Sequence, residues 1–528
     1  MSDGRVSTDL RLVPAAAACW LACGLALGYR PGVVAAAAFV LATGAVLVVR
    51  ARSPARPPIR GRRWRGTAVL TLVAAGAGLA SYAGQAAGHR GGALPHLVAQ
   101  RAVVTVVGVV RAEVVQSDAR SDRFMTVLAV EQVEGRGRSG PAAASLLVRG
   151  GPAWRGTPYG TRVRVTGRVA PGAPADRTSA VLTAWGEVRT MDRAGPIDGA
   201  VARLRTSLLE VTDPLPADLR GLVPGAAIGD TSRVPMSLAA AMREVSLTHV
   251  TAVSGSHFAV LAVTVLGVTG ALRMPRTARA AASVVVLGGF VLLVHPEPSV
   301  VRAAVMGAVA AWGLLLGRRS SAVPALMASV VALLVLDPWL SRSFGFTLSV
   351  LATAAIVLLA PVLARRLSAM LPRWMAVAFA VPASAQLVCA PVVVLLDPAV
   401  SLVATPANLL AAPALVPATL LGLAATVVAP WFPDAAGVLA WGAAAPAWWV
   451  AAVARAGAAL PGGRVDWPAG APGLIALLVV HAAVAVAVLG HERLRRERRP
   501  WLLMTAAVLL VGLVPGVRSS LLRLAAGG

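Results

Sequence analysis

Residues 245–272 form an unbroken run without Asp, Glu, Lys or Arg, although the run contains two histidines and a glycine flanked by two serines. The run is long enough to cross a bilayer, because about 20 apolar residues span the hydrocarbon core as a helix. Polar groups at such a depth are costly unless they are paired or line a wet path. The segment therefore predicts a membrane-spanning element whose polar residues have a task.

Uncharged runs of this kind recur along most of the chain. Hydrophobic residues make up 57% of the sequence and charged residues 14%, whereas soluble domains carry about 25% charged residues. The mean hydropathy of +0.73 points the same way. The spacing of the runs predicts a polytopic α-helical membrane protein with roughly 12–14 spans, and it excludes an ordinary soluble enzyme.

The arginines between the second and third runs indicate how the N-terminal region is oriented. Seven arginines and no acidic residue lie between Arg50 and Arg65. The positive-inside rule places such a loop in the cytoplasm. We therefore predict transmembrane helices with an Arg-rich cytoplasmic loop over residues 1–95, a cytoplasmic N-terminus, and a chain that leaves the third span on the outer side of the cell membrane.

Residues 96–195 have the pattern of a β domain. Short runs with strand character at 103–110, 124–130, 145–148 and 161–169 are separated by Gly and Pro. About five short strands are typical of a small OB-like β-barrel, which we expect on the extracellular side. With 14 Arg against 8 acidic residues in 101–193, a basic face could hold single-stranded nucleic acid. Core packing is favoured for most of the scattered aromatic residues Phe124, Trp154, Tyr159 and Trp185.

Two further regions complete the predicted organisation. Residues 196–244 have helical spacing of apolar residues with arginines and prolines, which indicates amphipathic linker helices at the membrane interface. Residues 245–528 are almost entirely apolar runs and are predicted to form the main transmembrane domain. Within them we divide 398–432 into two segments.

The polar residues of the first segment are the strongest site candidates: His249, Ser254, Gly255, Ser256 and His257. They permit three interpretations, which are the lining of a pore, packing between helices, and a hydrolytic Ser/His pair. A nucleophile needs a base that a third group orients, and Glu244 lies about one helical turn before the first histidine. Pore lining is the favoured interpretation, and no catalytic residue is assigned.

Other isolated polar residues are candidates for either the path or for helix packing: Asp230, Arg302, Ser349, Gln386 and Asn408. Intramembrane amides usually bond helices together, and Asp230 follows a glycine as a turn or cap residue would. The seven histidines are too dispersed for a metal site, and there is no phosphate-cradling loop. We expect no metal, no cofactor and no ATP-driven motor within the chain.

Four segments resemble the ComEC-type competence channel family. The first is the histidine segment 248–261, with His249, Ser254, Gly255 and His257 in the family's positions. The others are 298–319, with Arg302; 336–352, with Asp337-Pro338 and Ser349; and 385–413, with Gln386 and Asn408. Their order and spacing fit the family over nearly the whole chain, including three N-terminal spans followed by a β domain.

The resemblance implies an inner-membrane channel for uptake of single-stranded DNA in natural transformation. It implies that the histidine segment forms the pore core, and that the partners are single-stranded DNA, membrane lipid, a separate DNA receptor and a cytoplasmic helicase or ATPase. A homo-oligomer and a separate nuclease remain open. The alternatives from the residues themselves are a small-molecule permease and an intramembrane Ser/His hydrolase.

Two departures from the family pattern qualify the resemblance. Many members end in a metallo-β-lactamase-like domain, whose His-x-His-x-Asp-His cluster is absent before the chain stops at Gly528. We therefore expect any nuclease step to come from another protein, or the product to be shortened. Ser256 also stands where members often carry Leu, which makes that position more polar.

Overall fold

The computed structural model describes residues 9–50, 59–118, 121–172, 178, 180–251, 255–295, 300–301, 303–308 and 322–489. Most of this part of the chain is helical, with one six-stranded sheet and one two-stranded sheet. Three regions follow one another: helices over residues 13–99, a β domain over residues 103–192, and mainly helices over residues 196–489.

The helices differ widely in length, and several carry internal prolines. Their bounds are α1 Val13–Ala26, α2 Pro31–Arg50, α3 Ile59–Arg90, α4 Leu94–Ala99, α5 Pro196–Thr212, α6 Ala217–Ile228, α7 Met236–Glu244, α8 Gly255–Ala271, α9 Arg276–Leu293, α10 Ala322–Leu336, α11 Phe344–Leu358, α12 Ala360–Leu367, α13 Arg373–Val393, α14 Ala404–Val428, α15 Pro433–Ala458 and α16 Gly470–Leu489.

Six of the described helices are long and apolar enough to cross a membrane, namely α2, α3 within Trp64–His89, α9, α13, α14 and α15. Helices α11 and α12 form a seventh candidate, bent by 43° at their junction. Shorter apolar helices occur at α1, α8, α10 and α16. This is the architecture of a polytopic helical protein, with fewer full-length spans in the described residues than the 12–14 predicted for the whole chain.

The N-terminal helices pack against the later part of the chain through α1. The Trp20 indole N–H donates to the Ser341 carbonyl at 2.8 Å, and its ring lies 4.6 Å from that of Phe346. The Arg342 guanidinium donates to the carbonyls of Gly24 and Leu27 near the end of α1. These carbonyls have no partner within the helix, so the arginine fixes the end of α1 to the segment between α10 and α11.

The β domain is built from six strands: β1 Val103–Val110, β2 Val115–Asp118, β3 Ser121–Gly135, β4 Arg138–Gly150, β5 Arg162–Pro171 and β6 Ala180–Asp192. Strand β1 pairs antiparallel with both β3 and β5. Strand β3 pairs with β4, β4 runs parallel to β6, and β6 pairs with β5. The pairings thus return to β1 after five strands, while β2 pairs with one end of β3.

The four predicted strands are confirmed, with β1 occupying 103–110 as expected. The four predicted runs do not include β2 or β6; the alternation of β6 is interrupted where register shifts occur against β5. Phe124 and Trp154 are buried in the domain core as predicted. Trp185 is 47% exposed, so for this residue the core interpretation is wrong.

A compact group of helices surrounds α6. From Leu219 to Ile228 the residues of α6 are buried, apart from Arg220, and they pack against α14 and α15. The predicted division of 398–432 into two spans is wrong, because α14 is one continuous helix of 25 residues. Prolines are tolerated inside transmembrane helices, and here Pro413 and Pro417 lie on the exposed side of α14, while Ala414 and Ala418 beside them are buried.

The contact of α14 with α6 depends on a glycine. A Cβ atom on Gly422 would lie 2.7 Å from the Ala227 Cβ, so Gly422→Ala forces the helices apart. We expect this change to lower the free energy of unfolding by about 1–3 kcal/mol, measured by thermal unfolding in detergent micelles. Gly437→Ala in α15 is the matched control, since a Cβ at that position would have nothing within 4 Å. The control should leave the free energy of unfolding unchanged or raise it by up to about 1 kcal/mol. Equal changes in stability for Gly422→Ala and Gly437→Ala would contradict the close contact.

Candidate functional site

A buried arginine, Arg205, lies where the β domain meets the helices. Only about 8% of its side chain is exposed. Its guanidinium donates to the backbone carbonyls of Ile228 and Leu293 at 3.1 Å each, to the Asp230 carboxylate at 3.3 Å, and to the Glu113 carboxylate in a close contact. One side chain thus binds four groups from three separate parts of the chain, and we call these groups the Arg205 site.

The partners Ile228, Leu293 and Asp230 lie at the ends of helices or in the turn that follows one. Ile228 and Leu293 are the last residues of α6 and α9, whose final carbonyls have no partner within the helix. The negative end of each helix dipole therefore faces the guanidinium. Gly229 adopts a left-handed conformation with φ of 74° and turns the chain after α6, which brings Asp230 to the same cation.

The carboxylate of Asp230 is itself held in place. Its Oδ1 atom accepts from the Ser232 backbone N–H at 3.0 Å and from the Ser232 hydroxyl at 2.5 Å. The other oxygen, Oδ2, is left for Arg205. A buried charge is stable only when its partners satisfy most of its hydrogen bonds, and here both members of the pair meet that condition.

The β domain contributes two residues to the Arg205 site. Glu113 lies in the link between β1 and β2, and its Oε1 atom is 3.3 Å from His295 Nδ1. Tyr159, before β5, stacks on the His295 ring with centroids 4.1 Å apart and an interplanar angle of 12°. His295 follows the end of α9 in a left-handed conformation with φ of 63°. The site therefore holds the β domain against the ends of α6 and α9.

The histidine segment adjoins this junction. His257 is buried in the first turn of α8, and the next residue, Phe258, packs in one apolar cluster with Ile228 and Leu293. These are the two residues whose carbonyls bind Arg205. On the other side, a Cβ on Gly225 of α6 would lie 3.0 Å from the Thr251 side chain. The structure therefore brings Asp230 and the histidine segment to the same end of α6.

His249 lies in a short 3-10 helix, Thr248–Val250, before α8. Its Nδ1 atom is 3.1 Å from the Ser246 carbonyl, so this ring nitrogen pairs with the backbone and not with Glu244. The His249 side chain is otherwise exposed.

The remaining predicted residues are not part of this junction or cannot be placed. Ser254, Arg302 and the side chain of Ser256 lie outside the described residues, while Gly255 begins α8 with open space around it. Asn408 donates to the Ala404 carbonyl of its own helix at 2.8 Å. Ser349 and Gln386 are half-buried in α11 and α13, two helices that pack together away from Arg205.

Sequence reasoning treated Arg205 only as part of an interfacial helix and did not select Glu113 or Tyr159. A signal for the arginine was present. Val201, Arg205, Leu208 and Thr212 follow one another at helical spacing on one face of α5, and all four are buried. An arginine inside the apolar stripe of an amphipathic helix indicates a buried charge with a partner, although the sequence does not name that partner.

Comparison with known proteins gives the following matches. A family model described as Competence protein matches residues 227–494, about half of the chain. ComE operon protein 3 of Bacillus subtilis (strain 168) is 28% identical over 159 residues, which cover 30% of this chain. The match spans 20% of that relative, so the chain covers about a fifth of its length. No solved structure matches the chain at a significant level.

Removal of the Arg205 cation tests the structural importance of the site. In Arg205→Met the Asp230 and Glu113 carboxylates lose their buried partner, and we expect the free energy of unfolding to fall by about 3–5 kcal/mol. Arg203→Met is the control, because Arg203 is exposed on the same helix; it should change stability by no more than about 0.5 kcal/mol. Adding Asp230→Asn to Arg205→Met should restore part of the loss. Similar thermal unfolding of the two single variants in micelles would contradict the site.

Proposed function

We propose that the chain, because it belongs to the competence protein family, carries single-stranded DNA across the cell membrane in natural transformation. The family and the apolar helices together describe a multi-pass membrane protein. In this proposal the chain acts as a channel and not as an enzyme, and the helices from α6 onward surround the path.

The observation that carries the proposal is a basic outer face on β1, β5 and β6. Arg164 on β5 is the register partner of Arg189 on β6, and both are exposed. Arg168, also exposed, lies two outward positions along β5. In the described part of the chain none of these three arginines makes an ion pair, whereas Arg162 at the end of the same strand is paired with Glu131 and Asp192. The three free guanidinium groups can attract phosphates.

Aromatic and hydroxyl groups lie between these arginines. Trp185 on β6 is exposed and is the register partner of Thr166 on β5. The Thr166 hydroxyl lies 3.0 Å from that of Thr105 on β1. One acidic residue, Glu187, is exposed in the irregular part of β6 before Arg189. An indole between cations offers a stacking platform for a base beside phosphate contacts, which is the usual combination for single-stranded DNA.

The connection of this face to the membrane supports the same proposal. Strand β6 leads within four residues into α5, which carries Arg205. DNA held on the β domain would thus be rigidly positioned relative to α6, α8 and the histidine segment. We further propose that the ring of strand pairings is an OB-like barrel, since its strand order and its one parallel pair agree with that fold.

Orientation follows from the arginine distribution. The Arg-rich segment 50–65 is proposed to be cytoplasmic, which puts the β domain on the extracytoplasmic side after three spans. The pore core is proposed at His249, Ser254, Gly255, Ser256 and His257. A DNA receptor outside and a helicase or ATPase inside would be the partners, and a separate nuclease would supply single strands.

The basic face is tested by removal of its paired arginines. Arg164→Gln with Arg189→Gln should weaken binding of an oligothymidine to the purified chain, because two phosphate contacts are lost. The slope of log affinity against log salt should fall by about 0.7 for each contact. Arg123→Gln with Arg138→Gln removes two exposed arginines of β3 and β4 away from this face. Equal loss in the two double variants would mean that only the net charge attracts DNA.

The histidine segment is tested in a deletion strain complemented with His257→Ala, with DNA capture and arrival in the cytoplasm scored separately. We expect capture to persist and cytoplasmic arrival to fall strongly, because the buried histidine adjoins the path. His481→Ala in α16 is the control and should transform normally. His257→Gln keeps a polar side chain at the buried position, so it tests whether a defect of His257→Ala comes from misfolding. Unchanged DNA arrival in the deletion strain would refute the DNA channel and favour a small-molecule permease.

A further inference from the structure

A long apolar groove lies between α2 and α3, on the first pair of membrane-spanning helices. Its volume is about 1030 Å³. Two facing stripes at helical spacing line it, one from Pro31 to Arg50 on α2 and one from Val69 to Ala87 on α3. Eleven of its nineteen lining residues are Ala or Gly, which leaves the groove deep, and only Arg50 is charged.

Arginines lie at both ends of the groove, since exposed Arg30 precedes the lining residue Pro31. Arg50 lines one end and is exposed. The Arg65 guanidinium, from the start of α3, donates to the Val48 carbonyl in the last turn of α2 at 3.2 Å, so it lies at the same end. Neither helix contains an Asp or Glu in its sequence. Two cations therefore lie together at the Arg50 end, whereas Arg30 adjoins the Pro31 end of a groove whose lining is otherwise apolar.

We propose that this groove binds an anionic phospholipid, with the headgroup phosphate at Arg50 and Arg65 and an acyl chain along the lining alanines and glycines. The proposal does not depend on DNA transport. The groove extends from Gly32 to Arg50, about 27 Å at 1.5 Å per residue, which is close to the apolar thickness of a bilayer. The half next to Arg50 matches one leaflet.

The paired arginines at the Arg50 end favour an anionic lipid as the occupant. An anionic headgroup gains about fivefold in affinity from each arginine near the membrane surface, so charge and shape select the same occupant.

The test is retention of lipid by the full chain, purified from vesicles of equal parts phosphatidylglycerol and phosphatidylcholine, with bound lipid counted by native mass spectrometry. We expect phosphatidylglycerol to be retained over phosphatidylcholine. Arg50→Gln should reduce that preference about fivefold. Arg373→Gln, at the exposed start of α13, is the control for a terminal arginine outside the groove.

A second variant separates the apolar part of the site from its charge. Ala42→Leu adds bulk to an exposed lining position two turns from Arg50 and should reduce retention of the lipid. Ala36→Leu, exposed on the same helix but outside the lining, should have no effect. Equal retention of the two lipids, or full retention by Ala42→Leu, overturns the proposal. Retention of neither lipid would mean that protein covers the groove and also overturns it.

Discussion

The burial of one guanidinium constrains the arrangement of this protein more than any other single interaction. Arg205 is satisfied only when the ends of α6 and α9, the turn after α6 and the β1–β2 link all meet around it. A buried cation without these partners would be strongly destabilising. The β domain is therefore not a freely tethered module, because Glu113 and Tyr159 hold it at the ends of two helices.

Helix α6 lies among α14, α15 and the histidine segment because small residues let their backbones approach closely. Ala227 meets the glycine position of α14, and Gly225 leaves space for the Thr251 side chain. In a bilayer the hydrophobic effect does not drive helices together, so small residues that permit close packing stabilise the contact. The consequence for function is positional, since α6 carries Asp230 at one end and lies beside the segment that contains His257. The family match begins at residue 227, near the end of α6.

Much of the local structure could be predicted from the sequence, and the exceptions have physical causes. The helices α1, α2 and α3 and the strands β1, β3, β4 and β5 lie where hydropathy and alternation indicate. Strand β6 was missed because register shifts against β5 interrupt its alternation after Trp185. The run 398–432 was divided in two, although α14 continues through Pro413 and Pro417, which lie on its exposed side.

The sequence by itself determined that this is a membrane protein with one β domain, because bilayer thickness and strand pleating impose periods that a single chain must display. It also determined the family, because four polar motifs keep their order. It could place Arg205 on a buried stripe, since helical spacing fixes which residues share a face. Only the tertiary structure decided what covers that face. Glu113 lies 92 positions from Arg205 and the Leu293 carbonyl 88, and no local rule relates residues so far apart until the chain has folded.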